Sequence, residues 1–380
     1  MRALSVTTRE PDAYRAGAEL GAGLRDFQPE QVLLFSTIQY NGSPELLHGF
    51  FDSLGDEVPL LGGTGDGFYA STGAADWGAV AIGLHSEGKL RWQVSKATGL
   101  AAEPEGCTRS ALQQAAAGLL PTLFLLFCDF RSDATRIERV IEREIKVPVV
   151  GGLAGDDNRI ERCFQFCGRE VLTDSAVALA IDGPLKYEIR IGNSIPAIGD
   201  TGQVDVASDT EIQRINGLSA SDFIEQQTGK PILHSDRGVT TFTVIDADNP
   251  SVRRLRSIVQ DRCERDGALR LYGGIEAGKR IQVCLARPSE LVAEVQSLAD
   301  ELVDSGFTPA AAVIVSCAGR KWLLGADVEQ EVQLLKARID PNLPLAGFPS
   351  FGEIGPLKLD TGYSANLFHN MTYVLLMLGK

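Results

Sequence analysis

One phrase, written three times, constrains this chain more than any other feature. "PLLGGTGDG" starts at Pro59, "PVVGGLAGDD" at Pro148 and "PLAGFPSFGEIGP" at Pro344. Each reads proline, two apolar residues, glycine, a short gap, then glycine followed by an acid: Asp66, Asp156 beside Asp157, and Glu353. A short apolar run bounded by proline and glycine is a buried strand running into a turn. A chain that repeats such a junction is built from repeated supersecondary units.

The flanking segments extend the repeat. "RALSVT" (2–7) is strand-like, "PDAYRAGAELGAGLRDF" has helical spacing, "QVLLFST" (31–37) is a strand, "SPELLHGFFDSL" a helix and "VPLLGG" a strand; after the Gly-Asp loop comes "WGAVAIGLHS". The same order restarts at "KLRWQVSKATG" (89–99) and ends on "SAVALAIDG". A third copy is expected from "RIQVCLARP" (280–288), with a helix capped by Ser289, the strand "AAAVIVSCAGR", the helix "VEQEVQLLKARI" and the closing "TYVLLMLGK". Residues from about 184 to 275 read as an insertion holding the strand "LKYEIRIGN" and the helix "SASDFIEQQTG". The expected fold is α/β: mixed, mainly parallel sheets covered by helices, built from three tandem β-α-β-α-β-β units with an insertion between the second and third.

Composition narrows the function. A length of 380 residues with 44% hydrophobic and 23% charged residues is that of a globular protein with a sizeable core. The net charge of −14 argues against a nucleic-acid or anionic-membrane surface. Arg253, Arg254 and Arg256, the most basic patch, read as the solvated face of a helix-like segment. No stretch has the length of a membrane-spanning helix, the start lacks a secretory pattern, and seven irregularly spaced cysteines suit a reducing compartment. The expectation is a cytoplasmic protein without membrane insertion.

Ligands gather beyond the carboxyl ends of parallel strands. In each unit two positions fall there: a strand end (Ser36; Cys128 with Asp129; Cys317) and the glycine-acid loop. The loop glycines let backbone N–H groups approach a ligand, and the acid can accept a hydrogen bond from it. The alternative is that glycine turns the chain and the acid caps a neighbouring N–H. Cys317 stands where a nucleophile would, yet packing is the commoner role for a small residue at a strand end. Arg320 can bind a carboxylate bidentately or lie on the surface. Cys163 and Cys167 lack the second pair of a zinc site. "GGIEAGKR" (273–280) fails as a phosphate loop, because Arg280 replaces Ser or Thr and a strand follows. Of His48, His85, His234 and His369, the last is best placed, directly before the final strand; it can line a cleft, ligate a metal or haem iron, or bond its own backbone.

"VVGGLAGDD" with "FQF" and "AVALAIDG" resembles the FIST N-terminal domain of bacterial signalling proteins; "SCAGRKWLLG", "GFPSFGEIGP" and "LFHNMTYVLLMLG" resemble the FIST C-terminal domain. The resemblance implies a sensory module, with residues 1–205 as the N-terminal domain and 206–380 as the C-terminal one. It implies a small polar ligand, with amino acids the proposed class. It also implies output through a separate signalling protein such as a kinase or cyclase, since no stretch is left for an output domain. The ligand-binding residues expected on this basis are Asp66, Gly151, Gly152, Gly155, Asp156, Cys317, Arg320, Ser350, Gly352, Glu353 and Asn370; Gly319 belongs to the same motifs. Asp66 stands where a fuller family match would have Glu. Some relatives are haem-containing nitric-oxide sensors, which makes His369 the first and His48 the second candidate for an axial ligand. A cysteine-dependent hydrolase using Cys317 is a further alternative.

Overall fold

The computed structural model describes residues 1–55, 57–236, 238–245, 252–259 and 265–379. Their strands form three six-stranded sheets on one plan and a fourth sheet beside them. The first sheet runs Arg2–Thr8, Ala79–His85, Gln31–Thr37, Leu60–Gly65, then the short strands Gln165–Cys167 and Glu170–Leu172. The second runs Arg91–Thr98, Ser175–Asp182, Pro121–Cys128, Val149–Leu153, then Glu353–Leu359 and Gly362–His369. The third runs Tyr187–Gly192, Tyr373–Gly379, Pro309–Cys317, Leu345–Ser350, then Phe68–Ala70 and Gly73–Ala75.

The protein is thus mixed α/β, with a larger antiparallel share than the sequence suggests. Each of these sheets has one parallel pair, joined by a crossover helix: Gln31–Thr37 with Leu60–Gly65, Pro121–Cys128 with Val149–Leu153, and Pro309–Cys317 with Leu345–Ser350. The closing strand of each unit needs no crossover helix, so it inserts antiparallel between the unit's first two strands.

The hairpins that follow the glycine-acid loops do not stay with their own units. Hairpin 68–75 pairs into the third sheet, hairpin 165–172 into the first, and hairpin 353–369 into the second. The exchange is cyclic. The first glycine of each phrase answers instead to the unit's own parallel pair: a Cβ on Gly62, Gly151 or Gly347 would lie 1.7, 1.8 or 2.0 Å from the carbonyl oxygen of Leu34, Leu126 or Ile314 on the neighbouring parallel strand. No side chain fits there.

Four local expectations are corrected. Tyr187–Gly192, read as part of the insertion, is the edge strand of the third sheet, paired along its length with Tyr373–Gly379. Arg280–Leu285, expected to open the third unit, lies in the fourth sheet between Ala197–Ser208 and Thr240–Ile245. The chain enters the third sheet, leaves to build the fourth, and returns through helix Pro288–Asp304. That helix begins before Ser289, with Pro288 in its first turn and the Glu290 carboxylate accepting the Arg287 N–H at 3.1 Å. Arg253–Ser257 is an edge strand of the fourth sheet and not a helix, and Arg256 is buried. Its guanidinium donates to the buried Glu138 at 2.7 Å, because an enclosed cation needs a countercharge.

The inner faces of the three sheets meet in one apolar core. Phe35, Phe127 and Phe348 contribute one ring each, with centroids 4.8 to 5.5 Å apart. The helices cover the outer faces in separate clusters, one per sheet. This leaves the carboxyl ends of the parallel strands and the glycine-acid loops gathered where the hairpins cross over.

Candidate functional site

The glycine-acid loops grip one another. Asp66 is fully buried; its Oδ1 accepts the Asp157 N–H at 2.6 Å, and its own N–H donates to the Pro349 carbonyl at 3.1 Å. Burial pushes its carboxyl up to about 7 against the pull of the Lys321 cation, and its Oδ2 has no partner. Gly155 donates its N–H to the Thr64 carbonyl at 2.8 Å, and a Cβ there would meet Asp66 Oδ1 at 2.8 Å. Gly151 and Gly152 pair with Ile354 and Glu353, and a Cβ on Gly152 would come within 2.7 Å of the Gly352 carbonyl oxygen. A Cβ on Gly352 would strike the Phe368 ring at 2.3 Å. These glycines serve close approach of the backbone to neighbouring strands and side chains.

Asp156 takes the capping role. Its carboxylate accepts the N–H groups of Ile160, Glu161 and Arg162 at 2.9, 2.7 and 3.0 Å. It holds a loop in which Asp157, Asn158 and Ile160 all have positive φ, a costly conformation for a β-branched residue such as Ile160.

Glu353 is different. It is fully buried, with Oε2 accepting the Thr372 N–H and hydroxyl at 3.1 and 3.0 Å and Oε1 lying 2.8 Å from Ser350 Oγ. Ser350 Oγ also lies 3.2 Å from the Gly352 carbonyl. A protonated Glu353 can donate to Ser350 Oγ, which leaves the single hydroxyl proton for the Gly352 carbonyl. Burial pushes its carboxyl up to about 8, which gives the same neutral form at pH 7. Burial, then Glu353, raises the Cys317 thiol as well. Cys317 is therefore held as a thiol and not as the thiolate nucleophile a hydrolase would use.

Two expected contacts are occupied by the protein itself. Arg320 has no exposure: Nε meets Glu331 at 2.9 Å, Nη1 meets Glu294 at 2.6 Å, and Nη2 donates to the Leu291 carbonyl at 3.2 Å. Its bidentate capacity is spent inside the third unit, so it is not available to a ligand. His369 is also fully buried, with Nε2 3.1 Å from the Gly355 carbonyl inside hairpin 353–369 and Nδ1 enclosed without a partner. Burial, helped by the Arg256 cation, lowers its pKa to about 4. An axial haem ligand needs a ring nitrogen facing a space of porphyrin size, and His369 presents none. His48 sits half-exposed on helix Glu45–Leu54, 3.5 Å from Glu45. The enclosed His369 does not fit a haem, and the described residues hold no group of three or more His, Cys, Asp or Glu side chains able to bind a metal.

Four residues of the sequence motifs do converge. Cys317 ends strand Pro309–Cys317, Gly319 lies in the helix after it, Ser350 ends strand Leu345–Ser350, and Asn370 follows hairpin 353–369; all four line one cleft of about 40 Å³. Its apolar wall is Phe130, Trp322 and Phe351, whose rings stack edge to face at 5.0 and 6.2 Å. Ile160 borders it from the loop that Asp156 caps, and Ser257 reaches it from the fourth sheet. Sequence reasoning missed the aromatic wall and Ser257. Trp322 and Phe351 lie inside the quoted motifs without having been singled out there, whereas Ser257 carried no local signal.

Two family models match the chain: the FIST N domain over residues 30–218 and the FIST C domain over residues 230–356. An uncharacterized protein of Methanocaldococcus jannaschii is 28% identical over 99 residues, which are 26% of this chain and 19% of that protein. The aligned part thus spans about a fifth of that relative's length. Among solved structures, phosphoribosylformylglycinamidine synthase II from Thermotoga maritima aligns over 99% of this chain and 71% of its own, at 10% identity and a TM-score of 0.20. T. maritima PurL complexed with ATP aligns over 100% and 71%, at 13% identity and the same TM-score of 0.20. Neither likeness carries an argument about fold or ligand.

Proposed function

The chain belongs to the FIST family, whose domains are associated with sensory signal transduction and small-ligand binding, and on that premise we propose a small-molecule sensor. The ligand is a small metabolite with at least one polar group, bound in the cleft beside Trp322. The observation that carries this reading is the convergence of Cys317, Gly319, Ser350 and Asn370 on that cleft. Aromatic walls with a few placed polar groups are the usual make-up of a small-molecule site. Glu353, one layer behind Ser350, positions that residue and does not meet the ligand as a charge.

The cleft joins elements of the second unit, the third unit and the fourth sheet. A ligand that draws them together favours one arrangement of the fourth sheet against the rest, which is the differential interaction a sensor requires. The signal then passes to a signalling partner such as a kinase or cyclase. The described cysteines are all free and buried, which suits a reducing cytoplasm. No helix among the described residues is long and apolar enough to cross a membrane. The test is a thermal-shift screen of metabolites: a responding compound should lose its effect in Trp322→Ala and keep it in Trp77→Ala, whose indole is partly exposed and outside the cleft. A compound that shifts all three proteins equally would overturn the site.

A further inference from the structure

The cleft contains one polar group that the protein leaves unanswered. Ser257 is 2% exposed, and its hydroxyl oxygen is shielded from solvent with no hydrogen-bond partner. It lines the cleft beside Asn370, whose Oδ1 accepts the Ser257 N–H at 3.1 Å. Buried hydroxyls in native proteins are nearly always paired, so an unpaired one that borders a cleft points to a partner from outside the chain.

The charge of the cleft narrows what that partner is. None of its described lining residues is Asp, Glu, Lys or Arg. The Glu353 carboxyl, in contact with lining residue Ser350, is neutral at pH 7, and the Cys317 thiol is neutral as well. Arg320, next to lining residue Gly319, is turned away to Glu331 and Glu294. A carboxylate or ammonium entering here would give up its water and meet no countercharge among the described lining residues, which is strongly unfavourable.

Building on the assignment of the cleft as the ligand site, we infer that it selects an uncharged hydrogen-bonding head group, held by Ser257 and Asn370 against the faces of Trp322 and Phe351. The size agrees: a volume of about 40 Å³ admits a head of a few heavy atoms, since one water-sized sphere needs about 10–15 Å³ on the same measure. The expected small polar metabolite becomes a neutral one, an amide, alcohol or ketone at the end that enters. The zwitterionic end of an amino acid does not enter.

Acetamide, acetate and acetamidinium test this directly, because they share one shape and differ in charge. The readout is the ¹⁹F NMR spectrum of the full chain labelled with 5-fluorotryptophan, the Trp322 signal being assigned by its loss in Trp322→Phe. Acetamide should move that signal saturably, at a concentration at least tenfold below that needed for acetate or acetamidinium. Ser257→Ala should weaken acetamide about threefold to tenfold, the loss of one neutral hydrogen bond. Equal or tighter binding of either ion overturns the neutral selection while leaving the cleft as a site. Unchanged acetamide binding in Ser257→Ala overturns the role of Ser257. If none of the three moves the Trp322 signal, the site assignment itself fails, and this inference with it.

Discussion

Asp66 Oδ1 accepts the backbone N–H of Asp157 at 2.6 Å, so the acid of the first glycine loop holds the start of the loop after the second. Three similar phrases have thus produced three different uses of a carboxyl group. Asp66 ties two units together, Asp156 caps a strained loop, and Glu353 braces Ser350 at the edge of the cleft. The cyclic exchange of hairpins brings the phrases close enough to do this.

Asp156→Ala removes the acceptor of three backbone N–H groups in a loop that otherwise carries an unfavourable φ of 55° at Ile160. The expected cost is about 1–3 kcal/mol of stability. Amide hydrogen exchange should accelerate at Ile160, Glu161 and Arg162 before it does elsewhere. Unchanged protection at those amides would show that the loop is held by something else.

Arg320→Met tests whether this arginine acts on stability and not on affinity. The change leaves Glu331 and Glu294 without their shared cation in a buried setting. Breaking such a network costs about 3–5 kcal/mol, to be read as a lower midpoint in urea. A variant as stable as the wild type would contradict the buried ion network.

Glu353 makes stability depend on pH in a definite direction. Its folded pKa of about 8 lies above the ordinary 4.5, so the folded state holds the proton more tightly. Its contribution is complete below about pH 4.5 and is lost as pH rises through about 8. Asp66, raised from 3.8 to about 7, acts in the same sense. His369, lowered to about 4, acts in the opposite one and costs stability as pH falls through that value. Glu353→Gln keeps a donor for Ser350 without a titrating proton, so denaturation midpoints should fall less between pH 6 and 9 than in the wild type. An equal fall in both proteins would mean that Glu353 is already ionised at neutral pH.

Gly151→Ala places a methyl 1.8 Å from the Leu126 carbonyl oxygen, a clash with backbone that no rotamer relieves. The parallel pair Pro121–Cys128 with Val149–Leu153 would have to separate. The expected outcome is loss of cooperative unfolding, seen by circular dichroism during heating. A normal transition would show that the two strands part more easily than their register suggests.

The local elements of this fold were readable because their signals are local. "QVLLFST" and "PVVGG" are short apolar strands bounded by turn residues, and the helices between them have helical spacing. Partner choice was not readable. Strands of three residues such as Phe68–Ala70 and Gln165–Cys167 carry no information about which sheet receives them. "KYEIRIG" and "RIQVCL" are equally good strands, and only pairing with Tyr373–Gly379 distinguishes the first as part of the third sheet. Arg320 looked free because its carboxylate partners, Glu294 and Glu331, are 26 and 11 residues away. Ser257 was hidden for a related reason: "RRLRS" reads as a basic surface, while the fold buries Arg256 and places Ser257 in the lining of the cleft.

The most direct test of the sensor account is mass spectrometry of small molecules released by denaturing the protein after isolation from its natural host. The wild type should release one compound in near-stoichiometric amount, and Trp322→Ala, isolated the same way and shown to be folded, should release little of it. The same compound released equally by both proteins would contradict the cleft beside Trp322 as the ligand site.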